Sequence, residues 1–416
     1  MEIKYDLIMK KIVLFMLLAI MTASSFAAAD TKQKLKQCKA DITNARLAVK
    51  NSKDLEKNEA NLRKYLQDSQ FDNNLDVRAT LFDVIKKEYD VNNEKAYLKQ
   101  KLDTAAFMKT ICRLFVVAEH LDSIDAKPNS KGIVAPEYRK KHAAILTPYR
   151  KNLLSGGQYF FAHKDWQETW NTLTLYLDCA KQPLFEGQTL DTTHDITVAY
   201  MLCVSAAQMN DIDKAKIYAN DAEKYEHSRE ATIQMMAELC YAHKDTASYS
   251  IYLRKGFRDY PKSKYFFPHL IDYYADREEY ANALKYANRA VMKDSTNTLF
   301  LMAQHSMMMA LNDYDNALVT GIKLLAKDEN IPMANYNVGY IYYLRAQKAL
   351  TVGNKPYRQR IKDAQKQYRL CQPYMERYRQ LAPDDISRWR PVLYDVYLNL
   401  NLGKEFTEIE QLSVNN

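Results

Sequence analysis

The chain has 416 residues, a formal charge of +8, and only 9 glycines and 11 prolines against 31 tyrosines. So few turn-forming residues in so long a chain exclude a hairpin-rich β fold and leave an all-α class, helices joined by short polar breaks. The charge is mildly basic.

The first stretch reads as an export leader and not as part of the fold. Lys10 and Lys11 precede an apolar run from Ile12 to Met21, and small residues end in Ala27, Ala28 and Ala29 before Asp30. Ten apolar residues are too few to span a bilayer. Residues 1–29 are therefore expected to be a signal peptide, with translation starting at Met1 or Met9, and the mature protein to be exported and periplasmic. The leader holds three lysines and two acids, so its removal lowers the charge from +8 to +7.

Residues 30–149 are expected to form an N-terminal helical region, either degenerate repeats or a cap. Leu35, Cys38, Ile42, Ala45 and Val49 are spaced three and four apart, the stripe of one helix. A second helix carries Leu55, Leu62, Tyr65 and Leu66, and a third Leu81, Phe82, Ile85 and Tyr89. Asp103 and Thr104 look like the N-terminal cap of a strongly apolar fourth helix through Ile124. The run from Pro128 to Gly132 is a linker, and a helix beginning near Pro136 is expected to kink or stop at Pro148.

From Ile196 to Ile331 four blocks repeat at a spacing of 34 residues, with Ala215, Tyr249, Ala283 and Ala317 in equivalent places. Counting outward gives units beginning at Arg150, Ile196, Glu230, Lys264, Thr298, Pro332 and Ile386. Two insertions interrupt the count, near 183–194 and 351–370. The tetrapeptide Ala162-His163-Lys164-Asp165 recurs as Ala242-His243-Lys244-Asp245, which supports the length of the first.

The unit at Lys264, with Phe267, Leu270, Tyr274, Ala283 and Ala290 in place, resembles the tetratricopeptide repeat family. Val338, Gly339 and Tyr342, the closing prolines Pro261 and Pro383, and Trp389 extend the resemblance across 150–412. It implies a right-handed superhelical solenoid of about seven stacked antiparallel helix pairs. Departures are His305 where a small residue belongs, and Thr169 and Tyr249 where alanine belongs; altered packing is expected there. The stretches from Lys101 to Phe107 and from Leu153 to Gly157 are also similar to exported tetratricopeptide proteins of Bacteroides-type bacteria.

In that family the first helix of each pair lines the concave surface. The resemblance thus assigns Tyr200, Tyr241, Tyr265, Tyr336, Tyr340, Tyr343, Tyr394 and Tyr397 to a binding groove. Phenol rings there could pack a peptide or stack on a sugar. The basic clamp by which some relatives hold a C-terminal carboxylate is absent, its positions carrying Pro268, Asp272, Met302, Ser306 and Tyr336. Arg345 to Arg369 holds eight basic residues and one acid, Asp363, so Arg358, Arg360, Lys362, Lys366 and Arg369 form a candidate patch for an anionic partner.

Catalytic and cofactor motifs are missing: there is no G-x-S-x-G, no phosphate-binding loop, no Gly-rich dinucleotide fingerprint and no H-E-x-x-H. Asp165 and Asp245, two residues after His163 and His243, suit helix caps better than metal ligands. Cys203 and Cys240 fall at core-facing positions, as small buried hydrophobes would. The sequence thus points to a non-catalytic interaction scaffold with no metal or cofactor, binding a protein or peptide of the cell envelope. A glycan, or an anionic envelope surface, is the alternative partner; nucleic acid is not expected.

Overall fold

The computed structural model describes residues 31–351 and 355–411, so the expected leader at 1–29, three residues of the second insertion and Leu412 lie outside the described residues. Among the described residues every regular element is a helix. None is long and apolar enough to cross a membrane. The chain forms two compact units, 1–232 and 233–416.

The first unit contains α1 (31–51), α2 (Leu55–Leu66), α3 (Leu75–Tyr97), α4 (Thr104–Asp125), α5 (Arg139–Leu146), α6 (Arg150–Ala162), α7 (Trp166–Asp178), α8 (Asp195–Gln208) and α9 (Ile212–Ala222). Helix starts are fixed by short polar side chains that accept otherwise unpaired amides: Asn74 from Val77 at 3.0 Å and Asp103 from Ala106 at 3.0 Å. Asp165 and Asp245 do cap the following helices, accepting from Glu168 at 3.2 Å and Ser248 at 3.1 Å.

One apolar core runs from Cys38 to Leu202, so the boundary expected at 149/150 falls inside continuous packing. His142 explains part of this continuity, since its buried ring stacks on Phe82 at 3.9 Å and draws α5 onto α3. The expected stripe of α1 begins one step late: Leu35 is 42 % exposed, and the buried face starts at Cys38. The helix expected near Pro136 starts at Arg139, and Pro148 sits in a single 3-10 turn before α6.

Charged groups tie the first helices together. Arg113 on α4 places Nη1 2.8 Å from Glu59 of α2 and Nη2 2.6 Å from Glu88 of α3, while Arg63 meets the other oxygen of Glu59 at 2.8 Å. Both carboxylates are nearly sealed from water, with side chains 5 % and 12 % exposed. Burial pushes the Glu88 carboxyl up, and the Arg113 guanidinium pulls it back.

α10 (Arg229–Ala242) straddles the division at 232/233. The second unit continues through α11 (Thr246–Asp259), α12 (Phe266–Ala275), α13 (Tyr280–Lys293), α14 (Thr298–Ala310), α15 (Tyr314–Leu325), α16 (Pro332–Thr351), α17 (Tyr357–Leu381), α18 (Ile386–Leu400) and α19 (Gly403–Gln411). Short turns make consecutive helices antiparallel partners, the stacked helix-pair arrangement of an α-solenoid. The second insertion lengthens one pair, whose helices α16 and α17 have 20 and 25 residues.

The repeat is written into the backbone as well as the side chains. Lys164, Asn210, Lys244, Glu278 and Asn312 each adopt a left-handed φ of 56° to 59° in the turn between paired helices. The last four are spaced 34 apart, and the first step is longer by the 12 residues of the first insertion. The residues at the alanine position, Thr169, Ala215, Tyr249, Ala283 and Ala317, are all buried.

His305 is accommodated by loss of volume opposite it. A methyl group on Gly321 would lie 2.8 Å from the His305 ring and 2.6 Å from Val338, so only glycine leaves room. The ring is 2 % exposed, with Nδ1 donating to the Ala317 carbonyl at 2.9 Å and Nε2 accepting from the Asn337 amide at 3.1 Å, an assignment that follows from these partners. Burial holds its pKa below the usual histidine range. His305 is therefore a packed core residue. Cys203 and Cys240 are fully buried, and among the described residues the six cysteines form no disulfide.

Candidate functional site: an aromatic bowl and a tyrosine ladder

In the second unit, residues of α10, α11 and α12 enclose a cavity of about 480 Å³. Tyr241, at the end of α10, is 70 % exposed and tilts over Tyr249 of α11 at 5.2 Å. Tyr249 meets Tyr273 edge-on at 5.9 Å, and Tyr265 stacks on His269 at 4.2 Å. Five rings thus line one bowl. His269 is held by its Nδ1, 2.8 Å from the Tyr265 carbonyl, and Arg277 covers Tyr273 at 3.9 Å.

Three carboxylates, Glu238, Asp272 and Asp276, share the rim with Arg277. Burial, with Tyr249 beside it, pushes the Tyr265 hydroxyl up, so it stays a neutral donor at physiological pH. The bowl therefore combines ring faces with acceptors, and suits a ligand that is polar and positively charged.

Of the residues lining this cavity, Tyr241 and Tyr265 are among those the sequence assigns to a groove, whereas Tyr249, Tyr273 and His269 are not. Tyr249 carried a usable signal: at a position meant for alanine, a phenol too large for the seam between paired helices has to reach beyond it. Its register position alone did not say where.

A second aromatic set lies on α16. Tyr336 and Tyr340 stack at 5.5 Å with planes 14° apart, and Tyr343 continues the row at 6.0 Å. All three are half-buried. Tyr378 and Arg388 flank Tyr336 at 5.1 and 5.5 Å, and the Tyr343 hydroxyl donates to Asp395 at 2.7 Å.

The remaining predicted tyrosines go elsewhere. Tyr200 belongs to the first unit, half-buried against Tyr225 at 5.1 Å. Tyr394 packs on Phe406 at 4.8 Å. Tyr397 is only 2 % exposed and donates its hydroxyl to Glu376 at 3.0 Å, because α17 covers that side of α18. It reaches the border of a cavity of about 490 Å³ beside Trp389 and Arg379, with little of its own surface open.

The basic stretch also divides. Arg358, Lys362, Lys366 and Arg369 are exposed along one face of α17, four, four and three residues apart. Arg360 turns the other way, donating to the Leu350 carbonyl at the end of α16 at 3.0 Å. Asp363 is held by Lys355 at 2.7 Å and pushed down by it, so it offsets Lys355 more than the stripe.

Among the described residues no three His, Cys, Asp or Glu side chains converge as metal ligands would. No family model matches the chain, and no curated protein matches it. Several solved structures do align with it. The C-terminal part of a TPR repeat-containing protein from Cytophaga hutchinsonii is 10 % identical, covering 61 % of this chain and 91 % of its own, with a TM-score of 0.37. YrrB, described as a TPR protein with an unusual peptide-binding site, is 16 % identical over 47 % of this chain and 88 % of its own, with a TM-score of 0.31. The P58(IPK) TPR domain is 10 % identical over 88 % of this chain and 99 % of its own, with a TM-score of 0.26.

Proposed function

We propose that the protein is a non-catalytic interaction scaffold that holds a peptide segment of a protein partner in the bowl of α10, α11 and α12. The observation that carries this reading is the ring of Tyr241, Tyr249, Tyr265, His269 and Tyr273 beneath Glu238, Asp272 and Asp276. Tyrosine faces attract ammonium and guanidinium groups, and carboxylates at the rim complete their neutralisation. A lysine- or arginine-bearing segment is the ligand this chemistry selects. The export-leader pattern of the sequence at 1–29 supports an envelope location for that partner.

The tyrosine row of α16 favours the same ligand class over a glycan. A sugar needs ring faces lying side by side, whereas Tyr336 and Tyr340 are packed on each other. Their edges and hydroxyls remain available to a peptide backbone.

Selection from a displayed random-peptide library on the mature protein tests the proposal. Enrichment of Lys and Arg is expected, and Tyr241→Ala combined with Asp272→Lys should weaken the selected peptides at least about tenfold, since 1.4 kcal/mol is a factor of ten. Both side chains are exposed, so the fold should survive. Peptides without a basic bias, or unchanged affinity in the variant, would count against the bowl.

A second reading is supported by the exposed stripe of Arg358, Lys362, Lys366 and Arg369, which suits an anionic envelope surface. Each basic residue near such a surface contributes about 1 kcal/mol. Reversing two, Arg358→Glu and Lys362→Glu, should lower partitioning onto phosphatidylglycerol vesicles by more than about tenfold at low salt, whereas Arg360→Gln should do little. Equal partitioning of wild type and the doubly reversed variant would remove this reading.

A further inference from the structure

We infer that the second unit has another binding groove, between α11 and α13, built for an acidic amphipathic helix. It is separate from the bowl and of opposite charge. The cavity measures about 900 Å³ and is the larger of the two.

Its floor is aromatic. Phe257 of α11 and Tyr286 of α13 meet edge to face at 6.3 Å, and Tyr286 is backed by Tyr274 at 5.5 Å. Ile251 and Met292 border it, 54 % and 86 % exposed, so apolar surface adjoins the aromatic floor.

Cations stand on both helices. α11 contributes Arg254, Lys255 and Arg258, and α13 contributes Arg289 and Lys293, while no carboxylate lines the cavity. Asp259 pairs with Arg258 at 2.6 Å and offsets part of this charge. Lys293 lies 5.6 Å over Phe257 and Arg289 5.5 Å over Tyr286, which keeps both cations above the floor.

The distribution of charge selects the occupant. Arg254 and Arg258, like Arg289 and Lys293, are four residues apart, about 6 Å along a helix axis. A lipid or fatty acid carries its charge at one end, whereas a helix with acids at i and i+4 on either side of an apolar stripe presents charge along its length to both walls. Leu or Phe side chains of that stripe would pack between Ile251 and Met292, against the open part of Tyr286, with Phe257 buried beneath as support.

The test uses the full mature chain and a dye-labelled amphipathic peptide of Leu and Glu, read by fluorescence anisotropy. Its Lys-for-Glu and Ser-for-Leu counterparts, and phosphatidylglycerol vesicles, are the controls. The Leu/Glu peptide is expected to bind, with both counterparts at least about tenfold weaker. Arg254→Glu with Arg289→Glu should abolish binding, and Met292→Ser, at a solvent-facing position, should weaken it without affecting the fold. The bowl variant Tyr241→Ala, Asp272→Lys should bind as the wild type does, so failure here and failure of the bowl are distinguishable. Equal binding of the Glu and Lys peptides, undiminished binding by both groove variants, or vesicle binding in place of peptide binding would overturn the inference.

Discussion

Arg113→Met should destabilise the first unit by about 1–3 kcal/mol at neutral pH, the cost of leaving a buried carboxylate without its partner, discounted from the full buried-pair penalty because Arg113 itself is 36 % exposed. Two carboxylates depend on this guanidinium. Glu59 retains Arg63, but Glu88 is left with Thr110 alone on the atom that Arg113 held. Methionine fills similar volume, so the change isolates the charge.

The loss should be pH-dependent, and its sign follows from Glu88. Burial already raises its folded pKa, and without Arg113 that shift is unopposed. A carboxyl with a raised folded pKa binds its proton more tightly when folded, so its unfavourable contribution is absent below the unfolded value of about 4.3 and complete above the folded one. Urea denaturation at pH 7 and pH 4, followed by far-UV circular dichroism, should therefore show a deficit in the variant that shrinks on acidification. A deficit under about 1 kcal/mol, or one that grows toward pH 4, would contradict the assignment of a buried, coupled network.

Gly256→Ala should also destabilise strongly, although alanine is the better helix former by up to about 1 kcal/mol. A methyl group there would lie 2.2 Å from Cδ1 and 2.3 Å from Cε1 of Phe266, a ring with no exposed surface to move into. Overpacking of this kind costs about 1–3 kcal/mol and outweighs propensity. Gly403, which begins α19, provides the contrast, because a methyl group there meets nothing within 4 Å. Gly403→Ala should leave the melting temperature unchanged or slightly higher, while Gly256→Ala lowers it, and Phe266→Leu should relieve part of the Gly256→Ala loss. A rise in melting temperature for Gly256→Ala would show that α11 and α12 are not in this contact.

The helix-pair architecture was legible because it is carried by local chemistry repeated at fixed spacing. Asp165 and Asp245 cap their helices wherever the neighbours lie, and the buried residue at the alanine position is set by its own pair. Groove assignments are different, since register gives the face of a helix and not what covers it. Tyr397 lost its surface to the neighbouring helix α17, and Arg360 turned its guanidinium to the carbonyl end of α16, contacts that a 34-residue register does not describe. The cationic groove was invisible for a related reason: each of its two stripes alone reads as an ordinary solvated helix face, and only their apposition across 251–293 makes a site.

Tryptophan placement gives the molecule a spectroscopic asymmetry. Of its three tryptophans, Trp166 and Trp170 are half-buried on α7 in the first unit, and Trp389 alone represents the second. Trp389 is 3 % exposed, donates its indole N–H to the Pro383 carbonyl at 3.1 Å, and lies under Arg379 at 4.9 Å. Its emission comes from a dry, fixed indole, and that of α7 from partly hydrated ones. Trp389→Phe leaves a protein that reports optically on the first unit, and the double Phe replacement on α7 one that reports on the second, so the melting of each can be followed in the intact chain.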